Sequence, residues 1–189
     1  MIPIGFLAAS GAGAKPAYEL LATTALTSNA SVVTFSSITG LYGNDYKHLQ
    51  VRYSARNSLS AAGAGQITMR FMNVSSSDYS QSRMMLADGP RTDGLENASS
   101  MYVGQLPYNN SAPGWGVGTV DIANAFSSNY KTLKYFAGCY AYGNGSENTV
   151  AFGHGNWRST TIVDQLSLRT DNGQFTANSR FSLYGIRGD

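Results

Sequence analysis

The chain has 189 residues, of which 42% are hydrophobic and 12% aromatic, so it is long and apolar enough to bury a core. Only 13% are charged and the net charge is +2, with seven Lys/Arg and five Asp/Glu in the first 95 residues and six of each afterwards. That even spread leaves no basic stripe for nucleic acid, no run approaches the ~20 apolar residues of a membrane helix, and the single Cys139 excludes an intrachain disulfide.

Residues 1–16 stand apart. Ile2, Ile4, Phe6 and Leu7 form an apolar tip, and the Gly/Ala/Ser stretch to Pro16 forms a hinge. A basic n-region is missing, which argues against a cleaved signal peptide; a docking arm is expected, with a disordered leader as the alternative. Gly11-Ala12-Gly13-Ala14-Lys15-Pro16 is not a phosphate loop, because Ala precedes the Lys and Pro follows it.

From Tyr18 the chain reads as strands punctuated by turns. YELLATTAL and SVVTFSSI flank TSNA, which predicts a hairpin. In YKHLQVRYSAR, Leu49, Val51, Tyr53 and Ala55 line one face, and His48, Gln50, Arg52, Ser54 and Arg56 the other. QITMRFMNV places Ile67, Met69 and Phe71 inward. SQSRMMLA is a further strand, and DGPRTDGLENA (88–98) reads as a loop. SMYVGQLP is a strand before the surface loop YNNSAPGWG. VGTVDIANA, YKTLKYFAGCYAY and NTVAFGHGNWR are strands, the last two joined by a tight turn at GNGSE. TIVDQLSLRT and RFSLYGIRG complete the series. No stretch has clear helical periodicity, although VDIANAFSSNY has room for one helical turn. The repeated Tyr-Lys-x-Leu at Tyr46 and Tyr130 suggests two equivalent strand starts, one per sheet, or chance. Ten or eleven short antiparallel strands predict an all-β fold. Its form is a jelly-roll-like antiparallel β-sandwich over residues 17–189, preceded by a short extended N-terminal arm over 1–16.

Catalytic chemistry has little support. The two histidines, His48 and His154, lack HExxH spacing, and no CxxC pair exists. No GxSxG elbow is present, and most acidic residues fall near turns, where they serve the backbone. No enzyme, cofactor or metal is expected. Trp115, Trp157 and Tyr108 are candidates for a sugar-stacking platform, although core or interface packing is the commoner use of such aromatics.

Four stretches carry a family resemblance. They are IGFLAASGAG, VTFSSI leading to YKHLQVRYSAR, WRST before IVDQLSLRT, and FSLYGIRG. In order and spacing they resemble small β-sandwich virion structural proteins of tailed bacteriophages, a capsid-decoration and tail-fibre-like group whose members finish on Leu-Tyr-Gly-Ile-Lys/Arg-Gly. The resemblance runs from about residue 18 onward and leaves roughly 75–120 unmatched. It implies a virion component, made in the host bacterial cytoplasm, that decorates the capsid or forms a tail appendage. The expected partners are other virion proteins, docked by the arm through Ile2, Ile4, Phe6 and Leu7. Further copies of the chain are expected too, with a homotrimer favoured by virion symmetry. The alternative is a β-sandwich module that binds carbohydrate or a host receptor. Neither nucleic-acid binding nor membrane insertion is expected.

Overall fold

Residues 48–55 alternate without a break, and the computed structural model places Leu49, Val51, Tyr53 and Ala55 in the core with at most 4% exposure. The structure describes residues 16–86, 90–109, 114–141 and 148–188, so the predicted arm and the GNGSE turn lie outside the described residues. Among the described residues, twelve strands and one short helix follow in chain order. These are β1 (Tyr18–Ala25), β2 (Val32–Phe35), α1 (Ile38–Tyr42), β3 (His48–Ala55), β4 (Ala64–Phe71), β5 (Tyr79–Leu86), β6 (Pro90–Ala98), β7 (Met101–Pro107), β8 (Gly116–Ala123), β9 (Lys131–Cys139), β10 (Thr149–Trp157), β11 (Leu166–Thr170) and β12 (Arg180–Ile186).

They form two antiparallel sheets. The large one has the order β1-β12-β3-β8-β9-β10-β5-β6, and the small one β2-β11-β4-β7. Eight strands are nested from the outside in: β1 with β12, β2 with β11, β3 with β8, and β4 with β7. Successive pairs alternate between sheets, so one long antiparallel ribbon wraps around the core. That is a jelly roll, and the all-β sandwich expected from the sequence is observed. Two further hairpins extend it. β5–β6 is inserted between β4 and β7, and β9–β10 between β8 and β11. They join through β10 and β5 and widen the large sheet beyond β8.

The core follows from strand alternation. Ile67, Met69 and Phe71 of β4 are fully buried, as are Leu166 and Leu168 of β11. They meet the inward residues of β3, β8 and β12, among them Phe181 and Leu183. Gly185 continues that inward row, and the Tyr46 ring fills the space where a side chain would stand, since a Cβ there would fall 2.6 Å from it. Tyr46 then donates its hydroxyl to Glu19 of β1, so one tyrosine ties β1 to the strand beside it. Asn73, Asn97, Asn124 and Asn178 take positive φ. Asparagine tolerates this left-handed region better than most side chains.

Several sequence expectations need correction. TSNA is not a hairpin turn, because β1 and β2 lie in different sheets. Residues 88–98 are not all loop: β6 occupies Pro90–Ala98 and is exposed almost throughout, so no buried face imposed an alternation on it. It is held by β5 pairing, by Arg83 against Asp93 at 2.6 Å, and by Arg158 against Glu96 at 2.9 Å. SVVTFSSI stops as a strand at Phe35 and turns into α1, whose Ile38 plugs the core while Asp164 caps it by accepting from the Thr39 N–H at 2.9 Å. The helical turn within VDIANAFSSNY is instead a series of turns and bends. The two Tyr-Lys starts precede β3 and β9, which belong to the same sheet.

Candidate functional site: the outer face of the large sheet

One face of the large sheet packs on the small sheet, and the other faces out. The outer face has two halves of different chemistry. Over β1, β12 and β3 it is polar and cross-linked. Tyr18 and Tyr184 stack at 4.9 Å, and the Arg52 guanidinium lies over both rings, 5.5 and 5.1 Å from their centroids. Gln50 accepts from the Tyr18 hydroxyl at 2.6 Å and from Arg52 Nε at 2.8 Å, and donates to Asp121 at 2.5 Å. Asp121 in turn faces Lys134 at 3.5 Å.

Over β8, β9, β10 and β5 the outer face becomes apolar. Register aligns Val117, Gly138, Val150 and Leu86 in one transverse row, and Thr119, Phe136, Phe152 and Met84 in the next. Phe136 is 62% exposed, Leu86 57%, Val117 52%, Phe152 48%, Val150 45% and Met84 43%. Single exposed apolar residues are ordinary, whereas a contiguous group marks a contact surface. The row beyond is polar, with Asp121, Lys134, His154 and Ser82.

Open depressions indent this face, three of them over or beside the apolar half. One of about 440 Å³ is lined by His48, Asp121, Lys134 and His154 together with Ile122 and Ile186. His48 Nδ1 accepts from the Asn124 N–H at 3.0 Å, which holds that imidazole against the β8 end. A second, of about 490 Å³, shares His154 and runs to Met84, Phe152 and Asp93. The third, of about 310 Å³, lies beside Phe136, over Val117, Gly118 and Gly138. Among the described residues no group of three or more His, Cys, Asp and Glu is placed to hold a metal ion.

The predicted stacking aromatics do not assemble. Trp157 is a core residue, 2% exposed, packed 5.2 Å from Phe71 and 6.4 Å from Tyr79. Its position on β10 shares the inward phase of Ala151 and Gly155, so it is unavailable to a sugar. Tyr108 is half-buried, with its ring against Gly65. Trp115 alone of the three is exposed, at 37%, next to the start of β8. Ile2, Ile4, Phe6 and Leu7 lie outside the described residues.

The exposed apolar rows were not anticipated from the sequence. Their signal is an aromatic out of phase: Phe136 follows Thr132 and Lys134 on the polar side of β9, and Phe152 stands opposite buried Ala151 and Gly155 on β10. Alternation marks such residues as outward, and their chemistry sets this stretch of the outward face apart from the polar rest.

No protein-family model matches the chain, and no curated protein matches it. Among solved structures, the CBM2 module of the evolved Dit of Lactobacillus casei BL23 phage J-1 aligns at 8% identity, over 84% of this chain and 69% of that chain, with a TM-score of 0.19. A score that low carries no argument about this protein's fold or role.

Proposed function

We propose that the protein is a non-enzymatic structural component of a tailed-phage virion, decorating the capsid or forming a tail appendage and attached through its N-terminal arm. The observation that carries this reading is where the resemblance-bearing motifs fall. HLQVRYSA is β3, LSLRT is β11 and RFSLYGI is β12. Each of these three strands has a neighbour on both sides, so these motifs lie at the centre of the jelly roll, while VTFSSI begins on the edge strand β2. Motifs that build a scaffold suit a family defined by architecture. The outer face supports the same reading, because its chemistry favours protein contact over catalysis.

Mass spectrometry of gradient-purified particles from the genome that encodes this chain tests the proposal. The protein is expected at a fixed copy number per particle, and its absence from intact particles overturns the reading. Deleting residues 2–14 is expected to abolish particle attachment while leaving the melting temperature of the domain unchanged. Undiminished attachment rules out the arm as anchor.

A further inference from the structure

We infer that the apolar outer face of β8, β9, β10 and β5 is covered by the same face of a second copy of this chain, giving a two-fold, sheet-on-sheet dimer. The inference rests on the sheet face alone and stands apart from the virion reading.

Area is the first argument. Val117, Phe136, Val150, Phe152, Met84 and Leu86 are each between 43% and 62% exposed, which amounts to on the order of 500 Å² of apolar side-chain surface. That equals the largest apolar patch of an ordinary monomer. Two such faces stacked together hide about 1,000 Å² before any rim is counted, which brings the contact to the size of a specific interface, about 1,200–2,000 Å² in total.

Shape is the second. Phe136 and Phe152 are directly cross-strand and form a ridge. Beside the ridge, Gly138 leaves a hollow between Val117 and Val150, where an added Cβ would meet nothing nearer than 3.9 Å. The depression next to Phe136 opens over the same glycine. Ridge and hollow on one surface are what an isologous contact needs, since residue i then meets j and j meets i. Each aromatic ridge enters the other copy's hollow, with the sheets about 10 Å apart.

Charge is the third. On β8, β9, β10 and β5 the two apolar rows contain no charged residue; the Phe136 row runs on through Thr119 to Arg52 of β3, which lines the side of the hollow, and the adjoining row pairs Asp121 with Lys134. Arg52 is held against Tyr18, Tyr184 and Gln50, so charge borders the apolar rows and does not enter them, as at the rim of stable interfaces. Lateral pairing through β6 is less suited. That edge begins with Pro90 and carries Arg91, Asp93 and Glu96, features that discourage strand addition.

Sedimentation equilibrium of the full chain across about 1 to 100 μM tests the inference. A dimer is expected, or a hexamer if three-fold contacts elsewhere also form. Phe136→Glu and Phe152→Glu should each weaken the two-fold contact by at least about tenfold, turning dimer to monomer or hexamer to trimer. Both side chains are exposed in the single chain, so each variant should still fold and melt cooperatively, its melting temperature lowered only by the loss of the contact. Val150→Lys is a second probe of the same face, and Leu41→Glu, at the exposed side of α1, should change nothing. A full chain that is monomeric or trimeric overturns the inference, and so does a dimer indifferent to both Phe substitutions. A chain starting at Lys15 should still dimerise. A dimer seen only in that shortened chain, or lost in it, makes the arm the occupant of the face and overturns the inference as well. None of these outcomes bears on whether the protein is found in particles.

Discussion

Lys131 has no exposed surface, yet it carries an ammonium. Its Nζ donates to the carbonyls of Ser127 at 2.8 Å and Asn129 at 2.6 Å, and lies 5.9 Å from the Trp157 ring centroid. Lys131 is the cross-strand partner of Trp157, so Lys131→Ala removes buried contact and leaves two carbonyls without their donor, at a cost of about 2–3 kcal/mol by denaturant unfolding, and Lys131→Met, which restores the volume but not the donor, should recover only part of that. The buried tyrosines set the alkaline limit. Burial, then the bonded Glu19 carboxylate, pushes Tyr46 up to about 12; burial pushes Tyr79 up to about 12 as well. Tyr53, Tyr102 and Tyr135 are raised chiefly by burial too. In the unfolded chain all five lose their protons near 10, so the folded state binds more protons above that value. Stability is then fully present below about pH 10 and falls as pH rises through 10 to 12. Lys131, lowered by burial, works in the opposite sense but only up to its ordinary 10.5. Melting temperature against pH should therefore be flat near neutrality and drop steeply above about 10. A flat profile to 12 would show that these phenols are exposed in solution. Gly118 is a further single-residue limit: a Cβ there would lie 2.4 Å from the Tyr53 hydroxyl oxygen. Gly118→Ala must displace Tyr53 and its hydrogen bond to Val103 O at 2.8 Å, a loss of about 1–3 kcal/mol.

At the scale of elements, the strands that sequence reveals are those with one buried face. β3, β4 and β12 alternate because alternate residues touch the core, and the sets expected to share a face on β3 and β4 are the observed inward ones. β6 gives no signal because neither of its faces is buried. α1 is five residues long, less than two helical turns, so no period accumulates; a partner 125 residues away caps it. The separation of β1 from β2 is invisible for another reason. A TSNA turn is chemically fit for a hairpin, and only the preference of β1 for β12 sends the next strand to the other sheet. Trp157 shows the same limit within the candidate site, since aromatic type without strand phase does not tell core from surface. β12 lies between β1 and β3 and fills the core with Phe181 and Leu183. A chain ending at Ser179 leaves both neighbours as open edges and should not fold, giving no cooperative transition by circular dichroism. A cooperative melt from that shortened chain would contradict the central role assigned to β12.

For the whole molecule, the nested order means that the outermost pair joins the two most distant parts of the described chain. Tyr18 pairs with Ile186, and the Arg187 N–H donates to the Ala17 carbonyl at 3.0 Å. Contacts of such sequence separation close late, so refolding should be slow, with relaxation times of about a second or longer in stopped-flow fluorescence. Their arrangement also decides how the domain answers a load. Ala17 and Arg187 sit side by side at the same end of the β1–β12 ladder. A force pulling them apart therefore acts across the strands, and strains one hydrogen-bonded pair at a time. The domain should peel open like a zipper when stretched between these points. Pulled instead between Ala17 and Arg180, at opposite ends of the ladder, the bonds share the load and must shear together. Tension carried through the first route would undo the fold seam first, so a partner that holds β1 and β12 together would act as a mechanical clasp.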